Sequence, residues 1–94
     1  MNRLRWGIIG AGSIAGRFSE ALAALPNAET LAVGSRSQES ADRFAGARGF
    51  SRAYPSYEDL VADPDVDVVY VATPHPFHAA NAELCLRAGK AVVC

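Results

Sequence analysis

A nearly continuous apolar run over residues 4–9 stops at Gly10-Ala11-Gly12-Ser13-Ile14-Ala15, after which Ile14, Phe18, Leu22 and Leu25 recur at helical spacing until Pro26-Asn27. An apolar run of this length suits a strand covered on both faces, and the following 3.6-residue period suits a helix. The pattern then repeats. Residues 30–34 read as a second strand, and Ser37 as the N-cap of a helix whose apolar positions are Ala41, Phe44 and Ala45. Gly46-Ala47-Arg48-Gly49 reads as a turn, residues 50–54 as a short strand closed by Pro55, and Ser56-Tyr57-Glu58-Asp59 as a capping-box-like start to a brief helix through Leu60 and Val61. This middle segment carries no assigned chemistry. Residues 66–72 form the most β-branched run of the chain and predict a central parallel strand. Residues 77–88 predict a helix carrying Ala80, Leu84 and Leu86, stopped by Gly89 in the C′ position, and residues 91–94 begin a further strand. Strands alternating with helices predict an α/β fold of the Rossmann type, a doubly wound parallel sheet with right-handed crossovers.

Length and composition narrow this further. Ninety-four residues, half of them hydrophobic, suffice for one small globular domain. Nine Lys+Arg against ten Asp+Glu give a net charge of −1, which supplies neither a basic field for nucleic acid nor a polybasic stripe for a membrane. The N-terminus lacks the apolar region of a secretory signal, so a cytoplasmic location is the expectation. Cys85 and Cys94 have no metal-ligand spacing and read as packing residues, one in a helix and one in a strand. No metal is expected.

The candidate chemistry lies where strands end. Gly10, Gly12 and Ala15 fit the G-x-G-x-x-G/A pattern, in which the first glycine allows a tight turn, the second admits a pyrophosphate, and the third small residue lets helix pack on strand. The anion then meets free N–H groups at the positive end of the helix. Ser35-Arg36-Ser37 follows the second strand, where an acid would accept the adenosine ribose hydroxyls of NAD; here the acid is missing and Arg36 suits a 2′-phosphate, with Ser35 and Ser37 as added hydroxyl contacts. Glu29 is the nearby carboxylate, but it precedes the strand and falls at the opposite end of the sheet. Thr73-Pro74-His75-Pro76-Phe77-His78 follows the 66–72 strand, and its two prolines hold Thr73 and His75 in a stiff loop facing the same crevice. His78 falls in the first turn of the next helix, where a structural and a cofactor-contacting role are equally open.

Gly10-Ala-Gly-Ser-Ile-Ala15, Ser35-Arg36-Ser37, Ser56-Tyr57-Glu58-Asp59-Leu60, Thr73-Pro74-His75-Pro76-Phe77-His78 and Ala88-Gly89-Lys90-Ala91-Val92-Val93-Cys94 together resemble the glucose–fructose oxidoreductase / inositol dehydrogenase (Gfo/Idh/MocA) family. Residues 73–94 are especially similar to its dihydrodiol and xylose dehydrogenase branch. The resemblance covers the chain in order. It implies an NAD(P)-dependent oxidoreductase with an N-terminal Rossmann domain and a C-terminal mixed α/β substrate domain. It further implies that Gly10, Gly12, Ser13 and Ile14 line the pyrophosphate, Ser35 and Arg36 the adenosine end, and Thr73, Pro74, His75 and His78 the region toward the nicotinamide. Many relatives carry Asn where this chain has His75.

In the family a Glu-Lys-Pro motif, with a catalytic Lys, follows the strand that here stops at Cys94. Residues 1–94 are therefore expected to be a nucleotide-binding domain truncated before completion, with no catalytic residue of its own and no turnover. The expected cofactor is NADP, with NAD as the alternative, and the expected substrate of the parent is a small polyol or sugar. Self-association through an exposed strand edge at residues 91–94 is expected as well. A non-catalytic nucleotide-binding module or a truncated Rossmann scaffold is the alternative reading. An S-adenosylmethionine methyltransferase usually has an acid after the second strand, which this chain lacks.

Overall fold

The computed structural model describes residues 3–73 and 75–93, and of His75 the backbone alone. Pro74, the His75 side chain and Cys94 lie outside the described residues. The strands β1 (Leu4–Ile9), β2 (Ala28–Gly34), β3 (Arg52–Tyr54), β4 (Val68–Val71) and β5 (Ala91–Val93) form one parallel sheet in the order β3-β2-β1-β4-β5. The helices α1 (Ser13–Ala23), α2 (Gln38–Arg48), α3 (Tyr57–Val61) and α4 (His78–Arg87) connect them, with a 3-10 turn at His75–Phe77 before α4. The Rossmann-type α/β sheet expected from the sequence is present.

Side chains of adjacent residues in a strand point to opposite faces. Ile8 and Ile9, both fully buried, therefore anchor different cores. Ile8 packs with Val33 and with Ala15, Ala41, Phe44 and Ala45 from α1 and α2. Ile9 packs with Leu31 and Val69 and with Leu60, Val61 and Cys85 from α3 and α4. Cys85 is a packing residue in a helix, as expected, whereas Ala80 and Leu86 on the same helix are exposed. On α1, Ile14 and Leu25 continue the apolar pattern but are exposed: Leu25 lies beyond the helix end at Ala23, and Ile14 turns toward the crevice described below.

Several boundaries differ from the expectation for identifiable reasons. β2 begins at Ala28, because the Leu4 N–H donates to Asn27 O and the register carries pairing back to Leu4 opposite Ala28. Glu29 thus lies within β2, opposite Arg5, still at the N-terminal end. The segment read as a turn at residues 46–49 is the last part of α2, which runs to Arg48 and ends on Gly49 in the left-handed conformation, φ +79°. An exposed helical glycine costs only about 1 kcal/mol against alanine, and the packing of Phe44 and Ala45 carries the helix past Gly46. β4 is shorter than the 66–72 run: Asp67 joins β1 through its side chain, which accepts from the Arg5 N–H at 2.9 Å, while its own N–H donates to Arg5 O.

That contact belongs to a charge network at the N-terminal end of the sheet. Asp63, whose side chain is 1% exposed, accepts from Arg52 Nη1 at 2.7 and 2.9 Å, from the Tyr54 hydroxyl at 2.6 Å and from the Asp65 N–H at 2.9 Å. Arg52 also pairs with Asp65, and Arg5 pairs with Asp65 and Asp67. Lys90 Nζ donates to Asp63 O at 2.7 Å, tying the start of β5 to the same cluster. Burial opposes the charge on Asp63, but the donors Tyr54, Arg52 and the Asp65 N–H outweigh it and lower its pKa to about 2. The Arg5 guanidinium and backbone N–H likewise hold Asp67 below the usual carboxylate range.

Candidate functional site

At the C-terminal end of the sheet, the chain reverses order between β1 and β4, and the loops after these strands part to leave an open crevice of about 580 Å³. Open α/β sheets bind ligands at such a switch point. The floor is the glycine turn. Gly10 has φ +103°, and its N–H donates to Gly34 O at 2.9 Å, so the turn is tied to β2. A Cβ on Gly10 would lie 3.1 Å from Ala72 O. Both the backbone angle and the close approach of the loop after β4 require glycine there.

Gly12 differs. It is the N-cap of α1 with φ −87°, an angle open to any residue, and a Cβ built on it meets no atom of the described residues within 4 Å. Neither strain nor protein packing accounts for glycine at this position. Among the described residues no side chain caps α1, its first turn holds no acid, and Gly12, Ser13 and Ile14 at its start line the crevice, so its leading N–H groups are left without a protein partner there. Ala15, the third small position, is fully buried between helix and sheet.

Arg36 extends from the end of β2 into the crevice and makes no ion pair among the described residues. Its guanidinium carbon lies 5.6 Å from the centroid of the Phe77 ring. Ser35 and Ser37, also read as phosphate contacts, do not line this crevice. Ser35 is buried and its hydroxyl donates to Ser40 Oγ at 3.0 Å, while Ser37 Oγ caps α2 by accepting the Ser40 N–H at 3.1 Å. Both hydroxyls are engaged in starting α2. Ser35 lines a smaller adjoining hollow with Arg36, Tyr57 and Glu58. Glu58 was not anticipated as a neighbour of Arg36; it arrives through the β3–α3 connection and forms no ion pair with it.

Across the crevice, Thr73 is buried, and its hydroxyl accepts from Asn81 Nδ2 at 2.8 Å. His78 Nε2 lies 2.5 Å from Thr73 O, and because a carbonyl only accepts, this nitrogen carries the proton. Two residues of α4 thus fix the loop after β4. His78 lines the crevice while holding it. Pro74 and the His75 side chain are outside the described residues. Tyr57 and Phe77 complete the walls and were missed in the sequence. The available signal was topological: each lies just past the C-terminal end of a parallel strand, as every other crevice residue does. Among the described residues no group of His, Cys, Asp and Glu could hold a metal ion, and no helix is long and apolar enough to cross a membrane.

Comparison with known proteins agrees with this geometry. Residues 4–94 match a family described as an oxidoreductase family with an NAD-binding Rossmann fold, Gfo/Idh/MocA. Trans-1,2-dihydrobenzene-1,2-diol dehydrogenase of Mus musculus is 48% identical over 93 residues, and that of Homo sapiens 46%; each alignment covers 97% of this chain and 28% of the relative. Among solved structures, KijD10, a 3-ketoreductase from Actinomadura kijaniata in complex with NADP, superposes with a TM-score of 0.93 at 40% identity, covering 98% of this chain and 29% of that one. A levoglucosan dehydrogenase complexed with NADH and L-sorbose gives a TM-score of 0.94 at 30% identity, covering 100% of this chain and 27% of that one. The chain therefore spans less than a third of these relatives. A glycine turn with one glycine that the protein itself does not need, a parallel sheet opening at its switch point, and a family match over nearly every residue lead to one assignment: the chain belongs to the Gfo/Idh/MocA family of NAD(P)-binding oxidoreductases.

Proposed function

We propose that residues 1–94 are the coenzyme-binding part of an NADP(H)-preferring oxidoreductase acting on a diol or sugar. The observation that carries the reading is Gly12. Its conformation and surroundings would accept a side chain, and the space its Cβ would fill is the approach of a pyrophosphate to the N–H groups of α1. Gly10 shapes the turn, Ser13 and Ile14 flank the pyrophosphate, and Thr73 and His78 shape the crevice toward the nicotinamide, with Pro74 and His75 in the same loop. The bound nicotinamide would supply the hydride chemistry, and these residues orient it. Preference for NADP rests on Arg36, a cation in the crevice with no carboxylate paired to it among the described residues. Ser35 and Ser37 support this end indirectly, by fixing the α2 N-terminus beside it. The sugar or diol class of substrate follows the dihydrodiol and levoglucosan dehydrogenases and the 3-ketoreductase named above. No catalytic role is assigned within these residues. A cytoplasmic location, and self-association through the outer edge of β5, belong to the same reading; sedimentation at rising concentration tests the latter.

Calorimetric titration with NADP and NAD tests the core of the proposal. Wild type is expected to bind NADP more tightly, and Gly12→Ala to weaken both nucleotides without loss of fold. Arg36→Ala is expected to cost about 10- to 100-fold toward NADP, the value of charge-assisted hydrogen bonds to a phosphate, with little change toward NAD. Equal affinities that Arg36→Ala leaves untouched would overturn the 2′-phosphate assignment.

A further inference from the structure

Resting on the dinucleotide reading above, we infer that Asn81 is a positioning residue: its amide takes the Thr73 oxygen as acceptor and so turns the Thr73 hydroxyl proton toward the ribose on the nicotinamide side of the pyrophosphate. Asn81 belongs to neither the glycine turn nor the loop after β4. It lies half-buried on α4, one turn beyond His78, and residues three apart on a helix share a face. Both side chains reach back to one residue. His78 Nε2 donates to Thr73 O, and Asn81 Nδ2 donates to Thr73 Oγ at 2.8 Å.

A hydroxyl carries one proton and two lone pairs. With the amide on one lone pair, the proton must turn away from Asn81, and among the described residues it meets no acceptor. Thr73 is 5% exposed and lines the crevice, and a buried donor without an acceptor is destabilising. A bound acceptor removes that cost. The strand order decides which part of the ligand brings it. β1 lies between β2 and β4, so a dinucleotide with its pyrophosphate at Gly12 and its adenosine end at Arg36, after β2, sends its other half toward the end of β4. Thr73 follows that strand closely, and its backbone nitrogen lies 3.5 Å from a Cβ built on Gly10. Beside the turn, the first group that Thr73 meets beyond the pyrophosphate is the ribose, whose oxygens accept. The nicotinamide ring lies farther on.

Isothermal titration tests the inference with three ligands: NADP, 2′-phospho-ADP-ribose, which lacks the nicotinamide ring, and 2′,5′-ADP, which lacks this ribose as well. Circular dichroism confirms the fold of each variant. Thr73→Val keeps the shape and removes the hydroxyl. It is expected to weaken NADP and 2′-phospho-ADP-ribose about three- to tenfold, the value of one hydrogen bond, and to leave 2′,5′-ADP unchanged, while Thr73→Ser retains affinity. Asn81→Asp also keeps the shape, but it replaces the donor by an acceptor that draws the hydroxyl proton back onto α4. The same loss is expected, with the same ligand pattern. In the Thr73→Val background, Asn81→Asp should cost nothing further, because the group it acts through is gone. A full added loss there, or a loss shared by 2′,5′-ADP, would make Asn81 a matter of charge or folding and overturn the inference. So would wild-type affinity in Asn81→Asp. A loss confined to NADP and absent with 2′-phospho-ADP-ribose would overturn the ribose assignment. Failure of the wild type to bind NADP or NAD would instead overturn the dinucleotide reading itself.

Discussion

At the N-terminal end of the sheet, Asp63 takes hydrogen bonds from two side chains and one backbone amide, and Arg5, Arg52, Asp65, Asp67 and Lys90 close the network around it. At the C-terminal end, the turn is glycine and, among the described residues, no side chain caps the helix N-terminus and no ion pair holds Arg36, which lies beside the Phe77 ring. The strands run between the two, so one end is saturated with polar partners and the other is left short of them. Groups without protein partners are those a ligand can use, and a structure that leaves them open needs its rigidity from elsewhere. The saturated end supplies it: it joins β1, β3, the approach to β4 and the start of β5 through side chains up to 62 residues apart.

If stability resides at the saturated end, the largest loss should follow Asp63→Ala. That change strands the Tyr54 hydroxyl, the Asp65 N–H and one arm of Arg52, and is expected to cost about 2–4 kcal/mol in urea denaturation. A loss below about 1 kcal/mol would show that solvent readily replaces the carboxylate. The same residue predicts acid sensitivity. Asp63 titrates at about 2 in the folded chain against 3.8 for an ordinary aspartate, so its stabilisation is complete above 3.8 and is lost as pH falls toward 2. Asp67, also lowered, adds to the slope in the same direction. Asp63→Asn should flatten stability across this window, which urea midpoints at stepped pH would record.

Gly10→Ala is next in size and the one change expected to injure both ends of the comparison. The positive φ and the 3.1 Å approach to Ala72 O make alanine strained there, at about 1–3 kcal/mol. Relief of that strain must move the turn away from the loop after β4, so nucleotide affinity should fall together with the urea midpoint. Loss of stability with full nucleotide affinity would separate the turn from the ligand.

Much of this was legible from local rules, and the exceptions share a cause. β1 runs over Leu4–Ile9 as its apolar run requires, and Ser37 and Ser56 cap α2 and α3 by accepting the N–H three residues on. Gly89 takes the positive φ that ends α4. Each depends on neighbours within a few residues. The Asp63 network, the approach of Glu58 to Arg36, and the Tyr57 and Phe77 walls depend instead on which strands lie side by side, an order that periodicity does not encode. Ile14 shows the limit within one helix: its spacing matches the buried face, yet it lies in the first turn of α1 at the crevice and is 57% exposed. The hydroxyls of Ser35 and Ser37, read as phosphate contacts, are instead engaged by Ser40 of α2.

The smallest effect expected sharpens the comparison through a second glycine. Gly46, like Gly12, lacks a positive φ and has no atom of the described residues within 4 Å of a built Cβ. It differs in place: it lies inside α2 and outside the crevice. Without a ligand to accommodate, an exposed helical glycine is only an entropic weakness, so Gly46→Ala should stabilise the chain by about 0.5–1 kcal/mol and leave NADP affinity unchanged. Gly12→Ala begins from the same open surroundings and should instead lose nucleotide without gaining comparable stability, because an N-cap position has no helical propensity to recover. Should the two substitutions behave alike in both urea denaturation and calorimetry, open space around Gly12 would be an accident of the helix end, and the glycine turn would lose its claim to a pyrophosphate.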